Sequence, residues 1–403
     1  MSPGSRQAFV AGGAMTAFGR RKDGTGPRDW IPAIVARALI EADMEPADID
    51  SVVVASESDF LSLQVSPSAV IADDLGMTFR SVMRVESGGA SGAMAVRSGL
   101  MHLLSGMHDT VLVIGFEHAA SHLHADDVRT IYGLSFDAEM EGLAGVTATV
   151  LYALSIQDHM SRYGTTSRQL AAVSVKNHGN AQFNPDAHKP MTLTVDDVLA
   201  SPMVSHPYRV LDCSLISDGA AALVMTTRTD RLNRSYPRVR LAGSGCALEA
   251  VRLGERPRPG DFLGKAEAAQ KAYAQARIYH PRTELAFAEV YDAYSGAEIQ
   301  AIEALQISPR GHAAHELADG AFERGQSLPV NLSGGLIGQG GPPGATGVAQ
   351  IYTLLRLLQG RYYPELQRAK QADQTGKRRF AVADAHAGVG TVSVVHVLER
   401  CDE

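Results

Sequence analysis

The segment VSHPYRVLDCSLISDGAAALVM at residues 204–225 ends in an apolar run, AALVMT (221–226), which predicts a buried strand. Two further runs of this kind are SVVVAS (51–56) and VLVIGF (111–116). They alternate with amphipathic helical patterns such as WIPAIVARALIEADM (30–44). Such alternation favours an α/β fold in which helices cover parallel sheets.

The second half of the chain repeats this scheme. RVRLAGSGCAL (238–248) predicts a strand and KAEAAQKAYAQARI (265–278) predicts a helix. RRFAVADAH (378–386) and TVSVVHVLER (391–400) predict two adjacent strands at the end of the chain. We therefore expect two similar α/β/α halves with a boundary near Pro237.

A polar, helical stretch with few strand signals interrupts the first half. An insertion of this size is usually functional. The predicted division assigns 1–117 and 206–236 to the first half, 118–205 to an inserted helical loop domain, and 237–403 to the second half.

Composition narrows the classes of function. The chain has 403 residues, 45% hydrophobic content, a formal net charge of −7 and no polybasic run. Nucleic acids and anionic membranes attract clustered Lys and Arg, so neither is an expected partner. Cys213, Cys246 and Cys401 form no disulfide framework or zinc pattern. Without a signal peptide or a long apolar run, a cytoplasmic protein is expected.

Four segments carry a resemblance to a known family. Residues 204–225 resemble the hallmark segment of the thiolase superfamily in its SCP2-like, lipid-transfer-protein branch. SRYGTTSRQLAAVSVKNHGNAQFNP (161–185) is similar to the region before it, EVYDAYSGAE (289–298) to the His-Asp-Cys-Phe region, and NLSGGLIGQGGPPGATG (331–347) to the Gly-His-Pro region. The matches fall in order across essentially the whole chain.

The resemblance implies a thiolase fold, namely two fused α/β/α halves with the inserted loop domain. It also implies a coenzyme A thioester as substrate, no covalently bound cofactor, and a homodimer. Coenzyme A should contact the insertion, with LAGVTAT (143–149) lying along the pantetheine.

The residues that thiolases use for catalysis are absent from the matching segments. The family nucleophile lies in a pattern like Val-Glu-Ser-Ala-Cys-Ala-Ser-Gly, and here VESGGASG (85–92) places Gly89 at that position. Thiolate chemistry requires a sulfur atom at a helix N-terminus. The Gly-His-Pro segment is GGP (340–342), and the His-Asp-Cys-Phe segment is YDAY (291–294). No cysteine matches a catalytic position, and Cys213 is expected to pack in the core rather than act as a nucleophile.

A different branch of the superfamily resembles the chain at these positions. The acyl-CoA retro-aldolases of steroid side-chain degradation are similar in having Gly at the nucleophile position and Tyr-Asp at the His-Asp position, which are Gly89, Tyr291 and Asp292 here. Their second catalytic Tyr falls at Gly341. The resemblance implies a retro-aldol or aldol carbon–carbon lyase that acts on a β-hydroxyacyl-CoA. The alternatives are a Claisen-type acyltransferase similar to acetyl-CoA acetyltransferases and a non-catalytic coenzyme A- or lipid-binding subunit.

Four side chains are the candidate catalytic groups. Tyr291 is predicted to be the general acid/base, and Tyr294 would share a helical face with it. His386 has an ordinary pKa that suits proton transfer at neutral pH. Asp292 is expected to anchor its loop by backbone hydrogen bonds or to transfer protons.

The remaining candidates are backbone and loop positions. The N–H groups of Gly88, Gly89 and Ala90 are predicted to form an oxyanion hole at a helix start. The predicted substrate-binding residues form a set that consists of Glu86, Ser333, Gly340 and Gly341.

Two other features complete the prediction. The histidines of EHAASHLHADD (117–127) have no frame for a fourth ligand, so no metal site is expected. Thiolase-like proteins without the cysteine often resemble one half of a complex, which implies a small zinc-ribbon and OB-fold partner of the DUF35 type.

Overall fold

One large mixed sheet organises the protein in the computed structural model, which describes residues 6–142, 144–233, 235–362 and 378–401. The strands in these ranges are β1 Phe9–Met15, β2 Ser51–Ala55, β3 Ser81–Val85, β4 Thr110–Glu117, β5 Met203–Ser205, β6 Tyr208–Arg209, β7 Gly219–Thr226, β8 Arg238–Leu248, β9 Leu285–Glu289, β10 Phe380–Ala387 and β11 Val392–Cys401. Nine of them form the sheet in the order β3-β2-β4-β7-β1-β8-β11-β10-β9, and β5 pairs with β6 in a separate ribbon.

The expectation of parallel sheets is wrong. Only the β2–β3, β2–β4 and β9–β10 pairs are parallel, whereas β7, β1, β8 and β11 run antiparallel to their sheet neighbours. A strand buried on both faces is apolar whether it runs parallel or antiparallel to its neighbours, so the sequence pattern does not reveal the direction of the strand. At the end of the chain, a tight turn with positive φ at Gly388 and Gly390 joins β10 directly to β11 and makes that pair antiparallel.

The two predicted halves share this sheet. Strands β1–β4 and β7 come from the first half, and strands β8–β11 come from the second. The groups meet where Phe9 of β1 pairs with Arg240 of β8. The α/β class is therefore confirmed, while the predicted domain boundaries remain a prediction.

Helices pack against the nine-stranded sheet. Those in the described ranges are α1 Pro27–Ala42, α2 Asp59–Ser62, α3 Pro67–Asp74, α4 Ser91–Ser105, α5 Ala125–Gly133, α6 Ala148–Tyr163, α7 Ser167–Ala181, α8 Val195–Ala200, α9 Leu263–Ala276, α10 Pro281–Glu284, α11 Ser295–Ala304, α12 Ala313–Ala318, α13 Gly335–Gly338 and α14 Pro343–Leu358. None of these helices is both long and apolar enough to cross a lipid bilayer.

Helices α4 and α14 pack against each other at the centre of the protein. A Cβ atom on Gly92 would lie 2.7 Å from the carbonyl oxygen of Gly344, and one on Gly347 would lie 2.2 Å from the backbone nitrogen of Ala93. Glycine at these positions lets the two backbones approach within contact distance. Every residue of α14 except Arg356 is buried, as expected for a helix enclosed by other layers. This contact brings the N-terminal ends of both helices to one place.

The segment 118–205 contributes helices α5–α8, of which α6 and α7 pack on the second half. Helix α6 begins after Thr147, whose side chain accepts a hydrogen bond from the Val150 N–H. Helix α7 begins with a capping box between Thr166 and Gln169. Helix α6 contacts α11, and α7 contacts α11, α12 and α13. The insertion therefore forms one wall of the space above the N-terminal end of α4.

Candidate active site

A cavity of about 510 Å³ opens where the two halves and the insertion meet. Gly89 lines it from the turn before α4, Tyr291 and His386 line it from the ends of β9 and β10, and Thr149 and Tyr152 line it from α6. The cavity therefore brings together the predicted nucleophile position and three of the predicted catalytic side chains, Tyr291, Tyr294 and His386.

Tyr291 occupies the space that a side chain at residue 89 would need. A Cβ atom on Gly89 would lie 2.5 Å from Tyr291 Oη and 2.7 Å from the carbonyl oxygen of His386. Contacts this short force neighbouring atoms to move. The hydroxyl of Tyr291 thus stands beside the turn where the resemblance places the thiolase sulfur.

The Tyr291 hydroxyl is held in its protonated form. Its side chain is only 6% exposed, and its hydroxyl forms no hydrogen bond within the described residues. Burial, reinforced by the nearby Glu57 carboxylate, raises the pKa of Tyr291 far above its ordinary value of 10. A buried phenol of this kind donates a proton at neutral pH rather than accepting one.

His386 does not match the expectation of a neutral-pH proton carrier. Its Nδ1 lies 3.0 Å from Lys265 Nζ, and its Nε2 lies 2.7 Å from Tyr152 Oη. Burial, together with the positive charge of Lys265, lowers the pKa of His386 to about 4. The imidazole is therefore neutral at pH 7, which corrects the sequence-based expectation. Because the Lys265 ammonium only donates, Nδ1 accepts and the ring proton is on Nε2.

A buried ion pair supports this part of the site. Lys265 forms a salt bridge with Asp384, and both side chains are fully buried. Asp384 Oδ1 also accepts a hydrogen bond of 3.3 Å from the Tyr291 backbone N–H. The pair thus fixes the Tyr291 backbone and the His386 ring at once.

Most of the predicted oxyanion donors are already occupied. The Gly88 N–H donates to Glu86 Oε1 at 2.6 Å, and the Ala90 N–H donates to the Ser87 carbonyl at 3.0 Å. The Gly89 N–H has no acceptor among the described residues. It is therefore the amide of this turn that remains free to donate a hydrogen bond. Glu86 itself is exposed and lies outside the cavity lining.

Asp292 lies at the centre of a buried hydrogen-bond network. Its carboxylate accepts hydrogen bonds from the backbone N–H groups of Leu336 and Ile337, at 2.6 and 3.4 Å, and from Asn177 Nδ2 at 2.7 Å. Burial raises the pKa of Asp292 well above its ordinary value. The carboxylate does not line the cavity, so its contacts match the anchoring alternative of the sequence prediction.

The predicted substrate-binding loop divides between the cavity and the protein interior. Gly341 lines the cavity. Ser333 is buried outside it and donates a hydrogen bond to Glu289 Oε2. Gly340 has φ of +105°, and a Cβ atom there would lie 2.6 Å from Ser217 Oγ. The structure therefore brings only Gly341 of this loop set into contact with the cavity.

Tyr294 and Cys213 both border the cavity. Tyr294 Oη and Thr149 Oγ1 share a hydrogen bond of 2.7 Å, which links the second half to the insertion. Neither Tyr291 nor Tyr294 is part of a helix, because α11 begins at Ser295, so they do not share a helical face as expected. Cys213 borders the cavity as well as the core, and burial raises its pKa to about 12. Its sulfur is a thiol, not a thiolate, at neutral pH.

Sequence analysis missed Glu57. This residue lines the cavity, and its Oε1 accepts a hydrogen bond of 3.0 Å from Ser135 Oγ. Burial raises its pKa to about 7. The available signal was its position just after β2, since ligands in open α/β sheets bind beyond the carboxyl ends of parallel strands.

The histidines of 117–127 form a ring cluster. The rings of His118 and His122 lie 4.0 Å apart, and His118 meets Trp30 edge-on at 5.1 Å. Across the described ranges, no group of three or more His, Cys, Asp or Glu residues is arranged to hold a metal ion.

Comparison with known proteins identifies the class of this fold and site. Residues 8–229 match the family model of the thiolase N-terminal domain, and residues 245–400 match that of the thiolase C-terminal domain-like family. The chain therefore belongs to the thiolase family, a family of acyl-CoA enzymes. The resemblance and the fold predicted from the sequence are confirmed.

Individual relatives point to two reactions. The chain is 35% identical to an acetyl-CoA acetyltransferase of Methanothermobacter thermautotrophicus over 98% of this chain and 100% of the relative. It is 27% identical to a 17-hydroxy-3-oxo-4-pregnene-20-carboxyl-CoA lyase of Mycobacterium tuberculosis over 87% of this chain and 92% of the relative. Among solved structures, an Ltp2–ChsH2(DUF35) aldolase aligns with a TM-score of 0.80 and 22% identity over 100% of both chains.

Proposed function

We propose that the protein is a carbon–carbon lyase that cleaves a β-hydroxyacyl-CoA thioester by a retro-aldol reaction. The observation that carries this proposal is the position of Tyr291 Oη, 2.5 Å from where a Cβ atom of residue 89 would lie. The site thus offers a proton donor where thiolases place a nucleophile. The similar lyase of Mycobacterium tuberculosis supports the same reaction.

The reaction needs no covalent intermediate. A base removes the proton of the β-hydroxyl, the bond between Cα and Cβ breaks, and its electron pair forms a thioester enolate. The Gly89 N–H is placed to stabilise the enolate oxygen, and Tyr291 delivers its proton to Cα. The products are a ketone or aldehyde and a shortened acyl-CoA, without consumption of water, free coenzyme A or an oxidant.

The cavity lining fits an apolar acyl group on a coenzyme A carrier. Side chains of Val204, Val210, Leu215 and Ile216 form much of one wall. From the segment expected to contact pantetheine, 147–149 lines the cavity, whereas Leu143 lies outside the described residues. The apolar wall is compatible with a bulky hydrocarbon substrate such as a steroid side chain.

Claisen-type acyl transfer is the second candidate, because the chain is similar to an acetyl-CoA acetyltransferase over nearly its whole length. This reaction normally needs a thiolate, and the pKa of Cys213, which lines the cavity, is raised to about 12. Product analysis separates the candidates. A lyase releases a carbonyl compound, an acyltransferase consumes coenzyme A or gains an acyl group as a mass shift, and a coenzyme A- or lipid-binding subunit does neither.

A tyrosine variant tests the role proposed for Tyr291 in the lyase reaction. We expect Tyr291→Phe to lower turnover of a β-hydroxyacyl-CoA about 100-fold or more, because it removes the proton donor and little volume. Tyr279→Phe is the matched control, since Tyr279 is 78% exposed and outside the cavity. Near-wild-type turnover of Tyr291→Phe would refute the assigned role.

We further propose that the protein forms a homodimer and binds a DUF35-type partner in the cytoplasm. Strand β3 is a sheet edge with exposed Val82 and Met83, as a self-pairing strand requires. The aldolase structure similar to this chain contains a DUF35 protein. The three unpaired cysteines are compatible with a reducing compartment. Co-purification of a stable heteromer would support the partner, and a homodimer with full activity alone would remove it.

A further inference from the structure

We propose that Glu57 is the general base that removes the β-hydroxyl proton, an inference that rests on the lyase function proposed above. The residue belongs to no motif of the resemblance, and its assignment depends on its place in the cavity. Four observations carry it: the strand ends, the state of its two oxygens, its charge environment, and the occupation of the other candidate bases.

Parallel strands bring Glu57 to the turn that carries Gly89. Strands β2 and β3 are hydrogen-bonded neighbours, and Glu57 and Gly88 follow their carboxyl ends. Glu57 Oε1 lies 3.9 Å from the position of a Cβ atom on Gly88. Tyr291 Oη lies 2.5 Å from the position that a Cβ atom on Gly89 would take. A carboxylate and a phenol therefore stand beside two consecutive glycines, and both line the cavity.

The two oxygens of Glu57 are in different states. Oε2 is sealed from solvent and has no hydrogen-bond partner within the described residues. Oε1 accepts one hydrogen bond, from Ser135 Oγ at 3.0 Å. Because a carboxylate oxygen has a second lone pair, Oε1 is the atom that can accept a substrate proton. The Glu57 backbone is fixed by the Glu117 carboxylate, which accepts its N–H at 2.8 Å.

The charges around Glu57 set its protonation. Burial raises its pKa to about 7, the Ser135 hydrogen bond lowers it, and the Glu86 charge raises it. The other titratable groups around it are Glu117, Tyr132 and Tyr291, and burial raises the pKa of each well above its ordinary value. Glu57 therefore titrates in the range where a general base works most efficiently.

The other candidate bases are unsuitable. Tyr291 and Tyr294 are protonated phenols, and His386 Nδ1 is occupied by Lys265. The Asp292 carboxylate accepts three hydrogen bonds outside the cavity lining. In the resulting cycle, Glu57 gains the hydroxyl proton while Tyr291 loses one to Cα. Transfer of a proton from Glu57 to the Tyr291 phenolate restores both groups.

The test compares Glu57→Gln with Glu303→Gln across a pH series of kcat/KM. Glu303 is the matched control because it is also a buried carboxyl, but it pairs with His159 and does not line the cavity. We expect Glu57→Gln to lose about 100-fold or more in turnover and to lose the acidic limb near pH 7. Glu303→Gln should retain that limb. Circular dichroism of each variant checks that it is folded.

Two milder variants test the assignment even if Glu57→Gln does not fold. Ser135→Ala removes a hydrogen bond that stabilises the carboxylate, so the acidic limb should move to higher pH. Glu86→Gln removes a negative charge, so the limb should move to lower pH. A purely structural role for Glu57 predicts no opposite shifts.

The outcomes separate the two proposals. Cleavage by the wild type with unchanged turnover and acidic limb in Glu57→Gln would overturn the role of Glu57 and leave the lyase function standing. Absence of cleavage by the wild type would overturn the lyase function, and the role of Glu57 with it.

Discussion

Gly89 and Tyr291 are about half the chain apart in sequence, yet the Tyr291 side chain fills space that a side chain at residue 89 would need. A Cβ atom at residue 89 would lie 2.5 Å from the Tyr291 hydroxyl and 2.7 Å from the His386 carbonyl oxygen. The missing side chain at 89 is therefore a condition for the tyrosine, not just the loss of a nucleophile. This coupling has a measurable free energy.

A double-mutant cycle measures it. We expect Gly89→Ala to destabilise the wild type by about 1–3 kcal/mol, because the new methyl group overlaps Tyr291 Oη and the His386 carbonyl. In a Tyr291→Phe background the cost should fall by about 1 kcal/mol, since the hydroxyl overlap is removed while the His386 carbonyl at 2.7 Å and the ring Cζ at 3.2 Å remain. Urea unfolding of the four proteins gives the coupling, and additive effects would contradict the shared space.

Glu57 makes a separate prediction about stability. Its pKa is raised from 4.5 to about 7 in the folded protein, so folding disfavours its charged form. The protein has the full stability of the protonated state below pH 4.5 and loses it as the pH rises through about 7. Glu57→Gln stays neutral and should be more stable than the wild type above this window, by up to about 3 kcal/mol. Unfolding curves at about pH 5 and about pH 8 check the sign, and an equal difference at both would contradict it.

At the scale of elements, α13 and the turn around it depend on Asp292. Gly335 in this helix has φ of +59°, and a Cβ atom there would lie 2.3 Å from Asp292 Oδ2. The carboxylate accepts the N–H groups of the next two residues, which would otherwise be buried without partners. Gly341, which lines the cavity, lies three residues after the end of this helix.

Asp292→Asn should therefore displace the turn around α13 rather than remove a group that transfers protons. The amide replaces one acceptor oxygen by a donor, and each buried N–H left unpaired costs about 1–3 kcal/mol. We expect a lower melting temperature and a higher KM, with the pKa values of the kcat/KM profile unmoved. Exposed Asp319→Asn serves as the control. A shifted acidic limb in Asp292→Asn would indicate that Asp292 transfers protons.

At the scale of the whole molecule, a continuous sheet joins two halves and ends at the edge strand β3. Within the described ranges β3 pairs with β2 alone, and Val82 and Met83 are each 38% exposed. Antiparallel pairing of this edge with its own copy would give a twofold dimer with a self-complementary interface. The Val82→Lys/Met83→Lys double variant should then sediment as a monomer, because like charges meet across the axis. Tyr279→Lys, at a 78% exposed position just before α10 and the opposite edge strand β9, should remain dimeric. A monomeric wild type would contradict the expectation.

The sequence predicted the elements of the molecule better than their environments. Strand β8 spans the predicted residues 238–248, because its apolar run is local information. Lys265 begins a predicted helix like any surface lysine, yet it is fully buried against Asp384, 119 positions later. Together with burial, the positive charge of Lys265 lowers the pKa of His386 to about 4, and no local sequence pattern indicates this. Glu57 was missed for the same reason: its pKa and its cavity position arise from residues distant in sequence.

The overlap of residues 89 and 291 also restricts how such a site can change over generations. Restoring a cysteine at 89 alone places a side chain on the tyrosine hydroxyl, and restoring a histidine at 291 alone removes the phenol while supplying no sulfur. Each single step leaves a site that performs neither chemistry. Ancestral sequences between the two states should therefore show both codons changing together, or a small residue at 291 as the intermediate.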